Sequence, residues 1–155
     1  MTNFPLIMKF YRTFKDEDAI YFLTQFIDGS ELFDVIREMG LLTSTQAQFY
    51  IGSMILALEH MHSKNIIYRD IKPENIMVDK NGIMYVIDLG TAKVLIEKKH
   101  HGKALTMIGT PHYMAPEVYE GGKGYTQLVD LWSVGICLYE FVVGCLPFGE
   151  DLEDP

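Results

Sequence analysis

The stretch "IIYRDIKPENIMV", residues 66–78, decides how this chain is to be read. It sets Arg69, Asp70, Lys72, Glu74 and Asn75 within seven positions, between two apolar runs. Pro73 stiffens the segment and withholds a backbone donor, which favours a loop held by flanking strands. Thirteen residues after Asn75, "VIDLG" brings Asp88, followed by Leu89 and by Gly90, where the backbone can turn sharply. Between them, "NIMV" and "IMYVID" flank "DKNG", a tight-turn sequence that predicts a hairpin. A hairpin returns its ends to one place, so Asn75 where it begins and Asp88 where it finishes should face each other. An amide oxygen and a carboxylate held together are hard ligands suited to magnesium. Lys72 adds a positive charge, and Asp70 a carboxylate able to accept a hydrogen bond from a hydroxyl nucleophile. Magnesium, a cation and a base are what phosphoryl transfer needs, because its transition state wants positioning and charge neutralisation. A lone D-x-K is an ordinary solvated loop and a lone DLG an ordinary turn. The specificity lies in their order, their spacing and the apolar strands on both sides.

Composition narrows the setting. The 155 residues are one domain by size, and 48% hydrophobic with 22% charged residues describes a globular chain. Twenty-one acids against 13 Lys and Arg leave a net charge of −8. That balance disfavours nucleic acid and anionic membranes and favours a basic partner. Cys137 and Cys145 belong to no CxxC or Cys/His cluster, which fits a reducing, cytoplasmic compartment without a zinc site or disulfide framework. No charged-then-apolar leader opens the sequence. The most apolar run, residues 131–143, contains Ser133 and Glu140 and is too short for a membrane span, so a buried core helix is expected.

Along the chain, "FPLIMKFYRTF" and "AIYFLTQFI" flank "KDED" and read as an antiparallel hairpin. "DGSELFDVIREMG" predicts a short helix with Ser30 as N-cap and Gly40 as its stop. A long helix follows. Thr43 and Gln46 stand at capping-box spacing, and Ala47, Tyr50, Ile51, Met54, Ile55, Leu58 and Met61 recur at helical intervals as one buried face. Residues 97–112 lack a clear period and read as a loop. His100 and His101 have no further ligand at metal-binding spacing, so they are read as solvated. "YTQLVDLWSVGICLYEFVVG" is apolar nearly all round and predicts a helix buried at the centre, with Trp132 and the methionines as core.

The order "YRDIKPEN", "DLG", "GTPHYMAPE" and "VDLWSVG" resembles the catalytic region of the eukaryotic protein kinases. The phrases "IYRDIKPEN", "GYTQLVDLWSVGICLYE" and "PFGEDLEDP" resemble the cyclic-nucleotide-dependent Ser/Thr group, the cGMP-dependent kinases most of all. The resemblance implies an α+β, kinase-like fold, truncated to a small-lobe hairpin remnant (1–25) and the first half of the mainly helical large lobe (26–155). It implies ATP and Mg2+ as cofactors and a protein substrate with basic residues near its Ser or Thr. Asp70 would orient the substrate hydroxyl, Lys72 would touch the transferred phosphate, and Asn75 and Asp88 would hold magnesium. Thr24 would stand at the back of the adenine pocket, Gln25 and Ile27 would offer backbone hydrogen bonds to adenine, and Met77 would form the pocket floor. The activation segment would run from Asp88 to Glu117. Thr106 would be its phosphorylated residue, read by Arg69 and Lys93. Thr110 would lie near Asp70 and favour Ser/Thr acceptors, Glu117 would close the "APE" motif, and Asp130 would tie down the catalytic-loop backbone.

Glu31, Glu74 and Glu140 match positions that receive basic side chains in relatives, and Glu31 would also meet the ribose. As isolated residues they are ordinary surface or first-turn acids. Glu140 in an apolar helix stands out because an unpaired buried acid is costly. Two positions depart from the family pattern: Tyr68 replaces the usual His, and Leu89 replaces the usual Phe, where it can fill an apolar slot. No GxGxxG, no Val-Ala-Ile-Lys strand and no partner-Glu helix occurs in these 155 residues. The expectation is a fragment with little activity alone. The competing class is a catalytically silent, kinase-like binding or regulatory module.

Overall fold

A computed structural model describes residues 4–97 and 100–149. Lys98, Lys99, the side chain of His100, and residues 150–155, the end of the "PFGEDLEDP" phrase, lie outside the described residues. β1 (Phe10–Lys15) pairs antiparallel with β2 (Ile20–Thr24) around the expected charged turn. Asp16 fixes that turn. Its Oδ1 accepts the N–H groups of Asp18 (2.9 Å) and Ala19 (2.8 Å), and these bonds hold its carboxyl below the usual range. Ahead of β1, Val86 donates to Leu6 O (2.8 Å) and Met8 donates to Val86 O (3.0 Å), which stitches the N-terminal residues to the core.

β3 (Gly29–Glu31) leads into α1 (Leu32–Met39). The expected N-cap at Ser30 is overturned. Ser30 is paired with Val78, and Glu31 is the N-cap, with an extended backbone and no side-chain cap bond. Strand pairing has drawn Ser30 out of the cap position. The helix does stop at Gly40, whose N–H donates to Ile36 O (2.8 Å).

α2 (Ser44–His62) opens with the predicted capping box. Thr43 Oγ1 accepts the Gln46 N–H (3.4 Å), and Gln46 Oε1 accepts the Thr43 N–H (2.9 Å). Replacing Thr43 by Ala should cost about 1 kcal/mol of stability, read as a lower urea midpoint. Ala47, Tyr50, Ile51, Met54, Leu58 and Met61 are buried as expected, but Ile55 is 43% exposed and Ala57 takes the inward position. One residue is 100° of helix, so Ile55 falls off a seam that runs through Met54 and Leu58.

β4 (Ile66–Ile67) precedes the quoted loop. β5 (Ile76–Asp79) and β6 (Met84–Val86) form the predicted hairpin and, with β3, a three-stranded antiparallel sheet in the order β3-β5-β6. β7 (Lys93–Val94) pairs with β4. Among the described residues that follow, His100–Gly102 makes a short turn kinked at His101 (φ +53°), Ala104 bridges Tyr125, and Pro111–Tyr113 makes a single helical turn. α3 (Pro116–Tyr119) is one turn, and α4 (Leu128–Val143) packs on α2.

α4 is not buried all round. Val129, Asp130, Ser133, Val134, Ile136, Cys137 and Phe141 face inward, whereas Leu128, Leu131, Leu138 and Tyr139 are exposed. Trp132, expected in the core, is 39% exposed and stacks on Phe148 at 6.2 Å. The methionines divide likewise: Met54, Met61 and Met84 are buried, Met39 and Met107 exposed. The architecture is α+β, and its main core joins α2, α4 and the β5–β6 hairpin around Tyr68 and Ile71. No helix among the described residues is long and apolar enough to cross a membrane.

Candidate active site

The loop between β4 and β5 is held from beneath by one carboxylate. Asp130, fully buried on α4, accepts the Tyr68 N–H at Oδ2 (2.9 Å) and the Arg69 N–H at Oδ1 (2.8 Å). His62, at the end of α2, donates from Nε2 to the same Oδ2 (2.7 Å). A carboxylate is the side chain with enough lone pairs for three such donors. Arg69 can therefore keep φ +75°, a conformation that a non-glycine residue holds only when its surroundings impose it.

Asp70 leaves this clamped backbone with every neighbour a donor. Thr110 Oγ1 donates to its Oδ1 (2.7 Å), Asn75 Nδ2 donates to its Oδ2 (2.8 Å), and Lys72 Nζ lies 3.4 Å from Oδ2. Lys72 Nζ also donates to Thr110 Oγ1 (2.7 Å), which closes a ring of three residues. Gly109 makes this possible. Its φ is +127°, and a Cβ there would lie 2.6 Å from Arg69 O, so only glycine lets the segment carrying Thr110 approach the loop so closely.

Asn75 also donates from Nδ2 to Asp70 O (2.8 Å). A carbonyl only accepts, so the nitrogen must face Asp70 and the amide oxygen points the other way. Ile87 N–H donates to Asn75 O (2.9 Å), which brings the residue before Asp88 against Asn75, as the hairpin predicted. Asp88 is exposed, holds φ +50°, and accepts the Gly90 N–H at Oδ1 (2.9 Å). Tyr68 braces the same peptide, since its hydroxyl donates to Ile87 O (2.5 Å). Burial, and then the charges of Asp70, Asp88 and Asp130, push the Tyr68 hydroxyl far up, so it stays a donor. Two hard oxygens, with further ligands from phosphate and water, suit magnesium. No group of three or more His, Cys, Asp or Glu among the described residues would build a metal cage without that help.

On the far side of the loop, Arg69 Nε donates to Thr91 O (2.6 Å) and its terminal nitrogen reaches Tyr125 Oη (3.4 Å). Tyr125 in turn donates to Thr106 O (2.5 Å), and Thr106 is exposed. Lys93 is half-buried on β7, opposite Ile67. Glu117 is exposed at the first turn of α3.

A cleft of about 820 Å³ opens beside Asp88, lined by Thr24, Met61, Ile87, Leu89 and Lys93 among others. Gln25, Ile27, Glu31 and Met77 do not line it. Glu31 stands opposite Met77 on the β3–β5 ladder, and Gln25 and Ile27 lie between β2 and β3. Gln25 N–H donates to Lys9 O (2.8 Å), so its backbone group for a ligand is the carbonyl. Leu89 fills no apolar slot among the described residues and is 40% exposed on the cleft wall.

Of the three acids, Glu31 is exposed on β3, while Glu74 and Glu140 stand around Tyr113. Glu140, which stood out in its apolar helix, is half-buried and paired, for Tyr113 donates its hydroxyl to Glu140 Oε2 (2.7 Å). Burial first, and then this bond, push the Tyr113 hydroxyl up. Burial, then Glu140 and Glu74, push up the Cys137 thiol. Glu74 Oε2 is buried with no donor among the described residues. His62, Thr91, Tyr113 and Tyr125 belong to this site, and sequence reasoning missed them. They carry ordinary residue types, and their partners are many positions away.

The protein kinase domain family matches residues 1–155. The cGMP-dependent protein kinase of Plasmodium berghei is 56% identical over 150 residues, 97% of this chain and 17% of that protein. The cGMP-dependent protein kinase of Toxoplasma gondii is 54% identical over 97% of this chain and 14% of its own length. The human cAMP-dependent protein kinase catalytic subunit PRKX is 40% identical over 147 residues, 39% of its length. The chain thus spans well under half of each of these relatives.

Proposed function

The chain belongs to the protein kinase family, and we propose that it carries the catalytic-loop portion of an ATP- and magnesium-dependent serine/threonine kinase of the cGMP-dependent kind. The observation that carries this reading is the donor ring around Asp70. A carboxylate flanked by Thr110, Lys72 and Asn75 has one role that fits its setting, to accept the hydrogen bond of a substrate hydroxyl and orient it. Lys72, already on Thr110, would follow the transferred phosphate. The Asn75 amide oxygen and Asp88 would hold magnesium, which supplies charge neutralisation between phosphates. The Gln25 carbonyl and the Ile27 amide would meet adenine, with Thr24 behind it and Met77 beneath, and Glu31 would meet the ribose. Thr106 would be phosphorylated and read by Arg69 and Lys93. Glu117 would anchor the end of that segment. The chain would work in the cytoplasm on protein substrates.

The test is transfer of labelled phosphate from ATP to a basic Ser/Thr peptide. It is to be measured on the 155-residue chain and on a chain extended with the sequence that flanks the matched region in the Plasmodium berghei relative. The chain alone should transfer little and the extended chain readily. An extended chain that binds Mg-ATP yet transfers nothing would favour the silent binding module.

We further infer a basic substrate from Glu74 and Glu140. A buried carboxylate oxygen without a donor is costly, and a substrate guanidinium would supply that donor beside Glu140. Glu74→Gln should raise KM for an Arg-containing peptide roughly 10- to 100-fold, a charge-assisted bond being worth about 1.5–3 kcal/mol. The KM of the same peptide with citrulline for Arg should hardly move. Equal preference in both enzymes would exclude Glu74 from substrate recognition.

A further inference from the structure

Tyr125 lies outside the donor ring around Asp70, yet it touches both sides of the segment that carries Thr106. Its backbone N–H and C=O both pair with Ala104 (2.9 Å each). Its hydroxyl donates to Thr106 O (2.5 Å) and stands 3.4 Å from the Arg69 guanidinium. The ring is 4% exposed, in a small core with Ile67, Leu95, Ala104, Val118 and Val129. Gly124 permits the approach. Its φ is +68°, and a Cβ there would lie 2.8 Å from the Leu105 side chain and 3.0 Å from Ala104 O.

We propose that Tyr125 is a positioning residue for the phosphoacceptor: its hydroxyl, between Arg69 and the Thr106 carbonyl, holds Thr106 in front of Arg69 before any phosphate is present. The direction of the hydrogen bonds fits. Arg69 can only donate, a carbonyl can only accept, and a phenol does both, so the proton order Arg69 to Tyr125 to Thr106 is the one available. Arg69 is aimed from its other side by Thr91 O (2.6 Å). A phosphate added to Thr106 would meet a guanidinium already oriented, with less ordering to be done at the moment of modification. Unlike Arg69, Tyr125 holds the backbone and not the phosphate, so its effect is present in both states. This inference rests on Thr106 being the phosphorylated residue.

The experiment uses the 155-residue chain with phosphothreonine incorporated at position 106, followed by 31P NMR across pH. A free phosphothreonine peptide loses its second proton near pH ~6. In the wild-type chain the midpoint should lie lower, because Arg69 favours the dianion. Tyr125→Phe, which keeps the ring in its core, should move the midpoint back toward the peptide's. In the unphosphorylated chain it should also speed hydrogen exchange across residues 103–108 by roughly two- to tenfold, the loss of about one hydrogen bond. A merely structural Tyr125 would leave the phosphate titration untouched. If Tyr125→Phe titrates like wild type while Arg69→Ala moves to the peptide value, the Tyr125 proposal is overturned and the Thr106 reading stands. If Arg69→Ala leaves the midpoint unchanged as well, both are overturned.

Discussion

Asp70→Asn should lower phosphoryl transfer by roughly 10²- to 10³-fold in the extended chain, at unchanged ATP affinity. The carboxylate faces the Thr110 hydroxyl on one oxygen and the Asn75 amide nitrogen on the other. An amide in its place must turn its NH2 toward one of these donors, which breaks the ring, and it loses the charge that holds a substrate hydroxyl. The backbone clamp on Asp130 does not involve the Asp70 side chain, so the fold should persist. Asp88→Asn should fall as far but by another route, because it removes the charge offered to magnesium. The two variants separate in a magnesium titration. Asp88→Asn should need more Mg2+ for half-maximal rate, whereas Asp70→Asn should show the wild-type dependence and a lower plateau. Rates near wild type in both would remove these roles.

Asp130 should be among the most costly residues to change for stability. Asp130→Ala strands the amides of Tyr68 and Arg69, at about 1–3 kcal/mol for each unsatisfied buried donor, so about 2–6 kcal/mol in all. That is a large part of the 5–15 kcal/mol typical of a folded domain. Asp130→Asn should do little better. Its single acceptor oxygen cannot serve two amides and His62, and its NH2 would oppose one of those donors. Urea unfolding of both variants checks this, and a loss below about 1 kcal/mol for Asn would contradict the three-donor geometry.

Sequence reasoning reached these two residues by different routes: Asp70 from its local setting on the quoted loop, Asp130 only through the family resemblance. Asp70, Asn75 and Asp88 were legible because their relation is local. A tight turn at "DKNG" and two short strands oblige the chain to bring Asn75 and residue 87 together, and the Ile87–Asn75 hydrogen bond is that obligation realised. The Thr43–Gln46 capping box was legible for the same reason, its partners being three residues apart. Ser30 failed because a good cap residue met a competing partner, Val78, 48 positions on, and the ladder won.

The amino-acid sequence determined the family, the hairpin, the long capped helix and the identity of the polar residues on the quoted loop. Each of these depends on neighbours within a turn or two. The family resemblance implied Asp130 as the tether of that loop, and only the tertiary structure added the other residues that brace it. His62 and Asp130 are 68 residues apart, Arg69 and Tyr125 are 56 apart, and Tyr113 and Glu140 are 27 apart. Such contacts arise from the packing of α4 on α2 and from close passages at Gly109 and Gly124, which no periodicity encodes. The same packing decided which side of α4 is buried. An all-round apolar helix states that burial is favourable everywhere, and only its actual neighbours determine where burial happens.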